Sequence, residues 1–139
     1  MDFAGLLFSF TGRLNRAPYW LATIGLIVAA FVVVMIAFTI AGRSAVAIMV
    51  AGLVFLLAIW VTLALIIKRL HDRNKSASWV LLFYVAPPIL QAIGYGIGST
   101  GFILGLIGVG ISIWALVELG FLRGTAGPNS YGPDPLQVW

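Results

Sequence analysis

The sequence predicts an all-α fold: a bundle of four transmembrane helices with both termini cytoplasmic. A short interfacial segment precedes the first span, and a turn-rich tail follows the last. Three observations predict this. Of the 139 residues, 62% are hydrophobic and only 9% are charged, whereas a soluble domain carries about 25% charged residues. No charge occurs in residues 17–42, 44–67 or 76–117. The charges between those stretches are mostly basic and fall on one side of the implied spans.

A membrane-spanning helix needs about 20 apolar residues. The uncharged stretches of 26 and 24 residues therefore each hold one helix, and the stretch of 42 holds two joined by a short turn. Helices are expected near residues 18–41, 45–67, 78–94 and 100–122, in one membrane domain covering 1–139 with a tail from 123. Orientation follows from Lys and Arg in the short connections. Arg13 and Arg16 precede the first span, Lys68, Arg69, Arg73 and Lys75 lie between the second and third, and Arg123 follows the fourth. Only Arg43 falls on the other side. Seven against one places both termini in the cytoplasm of a multi-pass protein of a bacterial inner membrane.

The start of the chain does not read as a signal peptide, because Arg13 and Arg16 follow the apolar Phe3–Phe10 instead of preceding it. Asp2–Thr11 is expected to remain as an interfacial segment. The first span begins with Pro18, whose missing N–H costs nothing in a first helical turn, and Tyr19 and Trp20 suit the headgroup level. In the second span Ala47, Ala51, Ala58, Thr62 and Arg69 fall on one face at about 100° per residue. Small residues there admit a neighbouring backbone, and Arg69 continues the stripe, so it is expected to point into the bundle. Lys68 and Arg69 also sit where a helix C-terminus favours cations.

The third span carries Pro87-Pro88. Each proline removes a donor and crowds the carbonyl four residues back, so a kink or break is expected around residues 84–91. Gln91 is a polar partner for the freed carbonyls. A polar mid-membrane hinge is one use of such a break; the plainer one is a kink that closes the bundle. The fourth span presents Gly101, Gly105, Gly108, Ser112 and Ala115 at spacings of 4, 3, 4 and 3. Such a stripe packs on a partner helix, either in this chain or in a second copy, so a homo-oligomer through Gly101, Gly105 and Gly108 is an expectation. Glu118, at the edge of that face, needs a partner. Arg13, Arg69, Arg73 or Arg123 could supply an ion pair; a proton or cation site is the alternative. The tail from Gly124 is rich in Pro and Gly and reads as consecutive tight turns, with Leu136–Trp139 apolar enough to dock on the bundle or membrane.

Chemistry concentrates in Lys68-Arg69-Leu70-His71-Asp72-Arg73-Asn74-Lys75. There is no cysteine and one histidine, so a metal centre lacks ligands. Neither a nucleophilic triad nor a glycine-rich nucleotide loop is present. No catalytic residue, cofactor or metal is therefore expected, and no nucleic-acid role, since the net charge of +4 lies beside apolar runs. Asp72 is expected to pair with Lys68 or with an arginine from another segment. His71 could serve as a pH-sensitive hydrogen-bonding group.

Three stretches carry a resemblance. Phe8-Ser9-Phe10-Thr11-Gly12-Arg13-Leu14-Asn15-Arg16 with Tyr19-Trp20, then Lys68-Arg69-Leu70-His71-Asp72, then Asn129-Ser130-Tyr131-Gly132-Pro133-Asp134-Pro135 resemble, in order, the signatures of a bacterial inner-membrane family. That family is catalogued as domain-of-unknown-function family 805. Lys68 stands where the family often has an arginine, and Arg73-Asn74-Lys75 where a small residue is common. The resemblance implies a small multi-pass membrane protein without an assigned activity.

Topology and resemblance converge on one cytoplasmic cluster: Arg13, Arg16, Arg69, His71, Asp72, Glu118, Asn129, Tyr131 and Asp134. The expected role is non-enzymatic. The cluster holds the helix ends together and offers a basic rim to anionic lipid headgroups or a protein partner. In this reading Arg13 or Arg16 bonds Asp72 or Asp134. A small oligomeric transporter or channel subunit is the alternative, suggested by Pro87-Pro88, Gln91 and Glu118.

Overall fold

The computed structural model describes residues 3–96 and 98–136, and the regular structure among them is helical apart from one isolated bridge between Asn129 and Gly132. Asp2, at the start of the expected interfacial segment, and Gln137, Val138 and Trp139, expected to dock, lie outside the described residues. The order is α1 (Phe3–Phe8), α2 (Arg16–Ala41), α3 (Ala45–Asp72), a π turn (Leu81–Val85) leading into α4 (Ala86–Gly96), and α5 (Gly98–Leu116) continued by a second π turn (Val117–Phe121).

Three helices are long and apolar enough to cross a membrane: Arg16–Ala41, Ala45–Asp72 and Gly101–Phe121. Their flanks carry large apolar side chains in the open, such as Ile40 at 81% and Leu53 at 66% exposure. Apolar surface on that scale marks faces that meet lipid or another apolar surface. The fourth apolar helix, Leu81–Gly96, is shorter; at 1.5 Å per residue it reaches about 24 Å, less than the ~30 Å hydrocarbon layer. Three hydroxyls within the helices are satisfied locally. Thr23, Thr39 and Ser112 each donate to the carbonyl four residues back.

Tight connections set the layout. After α2, Gly42 turns at φ +58° and Ser44 caps α3 by accepting from the Ala47 N–H at 3.4 Å. α4 and α5 pack as a hairpin in which Gly94 and Gly101 touch backbone to backbone. A Cβ on Gly94 would come within 2.5 Å of the Gly101 carbonyl oxygen, and one on Gly101 would collide with the Gly94 carbonyl. Gly108 lies against the Pro87 carbonyl and the Gln91 side chain, while Gly105 faces open space. The small-residue stripe of the fourth span is therefore covered at Gly101 and Gly108 by α4 of the same chain.

The proline pair is absorbed by the π turn. The Ala86 N–H donates to Leu81, five residues back, so Pro87 and Pro88 enter at the first turn of α4, where absent donors cost least. The irregularity thus falls just before the prolines, beginning ahead of the expected window of residues 84–91 and overlapping it only at Tyr84 and Val85.

One boundary differs substantially from the sequence reading. The second span was expected to end near residue 67, with the polar run in a loop, but α3 continues to Asp72. Its end is a Schellman motif: Asn74, at φ 56°, donates to His71, and Lys75 donates to Leu70 at 2.9 Å. The helix persists because each charged side chain of its last turns finds a partner without leaving helical backbone. The buried core, including Leu14, Tyr19, Leu65, Leu70, Phe83 and Leu119, sits at this end of the bundle.

Candidate functional site

Helical spacing puts Arg69 and Asp72 one turn apart at the end of α3, both facing the bundle. Arg69 is wholly buried and donates from Nη1 to the Asp72 carboxylate at 2.5 Å. Arg13, in the segment between α1 and α2, reaches the other oxygen of Asp72 at 3.1 Å. Asp72 thus lies between two arginines, one an arginine from another segment, as expected. Lys68 does not take part: its ammonium donates to the carbonyls of Gly5 (2.8 Å) and Leu6, and so caps α1. The side chain at 68 leaves α3 on the flank where α1 ends, out of reach of Asp72.

The arginines also bind backbone. The last carbonyls of a helix have no intrahelical donors, a severe cost in lipid. At the end of the fourth span each is met from another segment. Arg69 donates to Leu119 at 2.7 Å and to Leu122, Trp20 to Gly120 at 2.9 Å, and Arg16 to Phe121 at 3.3 Å. Arg69 also donates to Leu14. Three segments are therefore joined by one guanidinium, whose fixed fork serves several acceptors at once.

The tail wraps beneath. Arg13 donates to the carbonyls of Thr125 (2.6 Å), Gly127 (2.6 Å) and Gly132 (3.3 Å). Thr125 donates through its N–H and hydroxyl to the Asp72 carbonyl. Asn129 donates to the carbonyl of His71 and to the Thr125 hydroxyl, and accepts from the Tyr131 N–H. Tyr131 stacks on His71 at 3.9 Å between ring centres and 5° between planes, while His71 Nδ1 meets the Gly12 carbonyl at 3.2 Å. Asp134 accepts from Gly127 and Leu136. These two backbone donors, Leu136 foremost, hold its carboxyl below the usual carboxylate value, with Arg13 and Arg123 adding to the effect.

Glu118 forms a satellite pair. Its carboxylate accepts from Arg73 at 3.0 Å and lies 3.8 Å from Lys75, whose ammonium also sits over the Trp79 ring. Arg73, which also donates to the Arg123 carbonyl, is the partner among those expected. Arg16 is the least embedded of the nine candidates, exposed and bonded only to Phe121. The others, Arg13, Arg69, His71, Asp72, Glu118, Asn129, Tyr131 and Asp134, are brought together at one end of the bundle, with Glu118 at its edge.

Sequence reasoning missed three contributors. Gly124 is one: a Cβ there would strike the Asp72 carboxylate, so only glycine lets the tail pass. Trp20 was read as a membrane-belt residue, yet its indole N–H caps Gly120. Thr125 was not singled out. The change to Gly-rich sequence straight after Arg123 was a signal for the first; neither of the others has a local one.

No buried side-chain N or O atom among the described residues lacks a hydrogen-bond partner. The hollow beside Asp72, Gly124 and Asp134 holds only about 10 Å³, room for one water at most. The arrangement is a saturated clamp on helix ends.

Long apolar helices tied at one end by such a clamp define a helical membrane protein of the bundle kind. The chain belongs to the family described as "Protein of unknown function (DUF805)", whose model matches residues 7–133. It is 36% identical over 135 residues to "Uncharacterized protein YiiR" of Escherichia coli (strain K12), covering 95% of this chain and 89% of that protein. It is 33% identical over 129 residues to "Inner membrane protein YhaI" of the same organism, covering 91% and 85%. It is 30% identical over 130 residues to "Inner membrane protein YhaH", covering 91% and 86%. No solved structure matches.

Proposed function

We propose that the chain is a non-enzymatic, multi-pass protein of the bacterial inner membrane, with both termini cytoplasmic and four apolar helices held together by the clamp around Asp72. One observation carries this reading: the carbonyls of residues 119–122 and both oxygens of Asp72 are all taken up by Arg13, Arg16, Trp20 and Arg69. Groups so completely engaged with one another suit a structural lock; they leave neither a free base nor a free anion-binding fork. Membrane location is supported by the relatives named inner membrane proteins and by the apolar helices. Orientation rests on the bias of Lys and Arg toward the clamp end. The exposed Arg123, outside the lock, is the group we assign to anionic lipid headgroups, at about 1 kcal/mol near the surface.

Removing one partner of a buried pair costs about 3–5 kcal/mol. Arg69→Ala should therefore lower the thermal midpoint of the detergent-solubilised protein sharply, with Arg69→Lys intermediate, since it keeps charge but loses the fork. Arg123→Ala should instead leave the midpoint nearly unchanged and reduce co-purified anionic lipid. An unaltered midpoint in Arg69→Ala would refute the lock.

A further inference from the structure

A cavity of about 370 Å³ lies between α2, α4 with the π turn that leads into it, and α5, just inside the clamp. Pockets for small molecules begin near 300 Å³ and combine apolar walls with a few convergent polar groups. Here the walls are aromatic, Trp20 and Phe83, and the polar groups come from Tyr19, Tyr84, Gln91 and Ser112. The Trp20 ring is pinned by its bond to Gly120, and Tyr19 and Tyr84 both line the space. A tyrosine hydroxyl offers one O–H donor to a ligand group.

Two groups at this site lack what the membrane interior demands. The amide of Gln91, half-buried, makes no hydrogen bond to another described residue. The Phe83 carbonyl has no helical donor, because the residues four and five ahead are Pro87 and Pro88 and the Ala86 N–H is committed to Leu81. Unpaired polar groups at this depth are costly. Both hydrogen-bond senses are therefore on offer: an acceptor at Gln91, donors at Gln91 and the tyrosine hydroxyls.

No charged residue lines the cavity, and the nearby Arg69 and Glu118 are engaged elsewhere. A phosphate or ammonium head would find no counter-charge and would lose its hydration. We propose that this cavity binds the neutral ring head of a lipid-soluble quinone or quinol. Its flat ring suits the aromatic walls at Trp20 and Phe83, the quinone oxygens accept from the Gln91 amide and the tyrosine hydroxyls, and the quinol's hydroxyls donate to the Gln91 side-chain oxygen. Only binding is assigned.

The test uses the full chain in phosphatidylethanolamine–phosphatidylglycerol nanodiscs, titrated with a decyl-chain benzoquinone and with its reduced form, tryptophan quenching or competition being the readout. Saturable binding is expected, about tenfold weaker in Gln91→Leu and in Tyr84→Phe at unchanged thermal midpoint, with quenching reduced in Trp20→Phe. Should Gln91→Leu fail to fold, Tyr84→Phe reads the same interaction while keeping its ring. Linear, unsaturable partitioning, equal affinity in the variants, or displacement by diacylglycerol as readily as by the quinone would each overturn the proposal.

Discussion

Asp72 and its surroundings show how little room the clamp leaves. Gly124 passes so close to the carboxylate that any Cβ must push it from one of its arginines. Overpacking of this kind typically costs about 1–3 kcal/mol, so Gly124→Ala should lower the melting midpoint of the purified protein, whereas Gly127→Ala, with open space but φ +74°, strains only the local turn. Asp134 makes a pH-dependent contribution. Its folded carboxyl is lowered, so the stability it adds is complete above the ordinary carboxylate value of about 4 and disappears as pH falls through the lower folded value. Hydrogen exchange of residues 125–136 should accelerate in acid below that point, and Asp134→Asn should flatten the dependence. An acid response identical in the variant would assign it to another group. The pairing of Arg13 with Asp72 was legible from the sequence only as one of several possible ion pairs. Choosing among them needed the positions of four segments, because a guanidinium can reach any carboxylate within several ångströms.

At the scale of elements, the α4–α5 hairpin is held by glycines with opposite surroundings. Gly101 is in backbone contact with Gly94, and a Cβ on Gly105 would meet nothing within 4 Å. Gly101→Leu should therefore prevent the hairpin from closing, seen as a large loss of folded protein in detergent, while Gly105→Leu should be tolerated by the monomer. Equal damage at both positions would point to a covered surface at Gly105 and hence to a second copy. Helix existence was legible from charge-free length and hydropathy. The continuation of α3 through Lys68, Arg69, His71 and Asp72 was not, since a run of charges reads as a loop unless the partners that neutralise it are known; Asn74 was the one local sign of the true end. The π turn before Pro87 was equally hidden: proline chemistry shows that the ladder must break, and packing chooses where.

For the whole molecule, α3 separates two ends. Its 28 residues span about 42 Å, with Ser44 at one end and the clamp at the other. The chain has no cysteine, so single introduced thiols report cleanly. In intact cells an impermeant maleimide should label Ser44→Cys and spare Ser130→Cys until the membrane is opened. The reverse pattern, or labelling of both, would reject the proposed orientation.

The sequence alone determined that the chain is helical and membrane-borne, roughly where its apolar helices lie, and which residues are rich in chemistry, because solvation by hydrocarbon acts on each segment in proportion to its own composition. The tertiary structure alone decided that those residues neutralise one another, that Lys68 serves α1 and not Asp72, and that Trp20 and Gly124 belong to the same assembly. Hydrogen bonds and close contacts depend on ångström distances between segments far apart in the chain, and no local pattern encodes them.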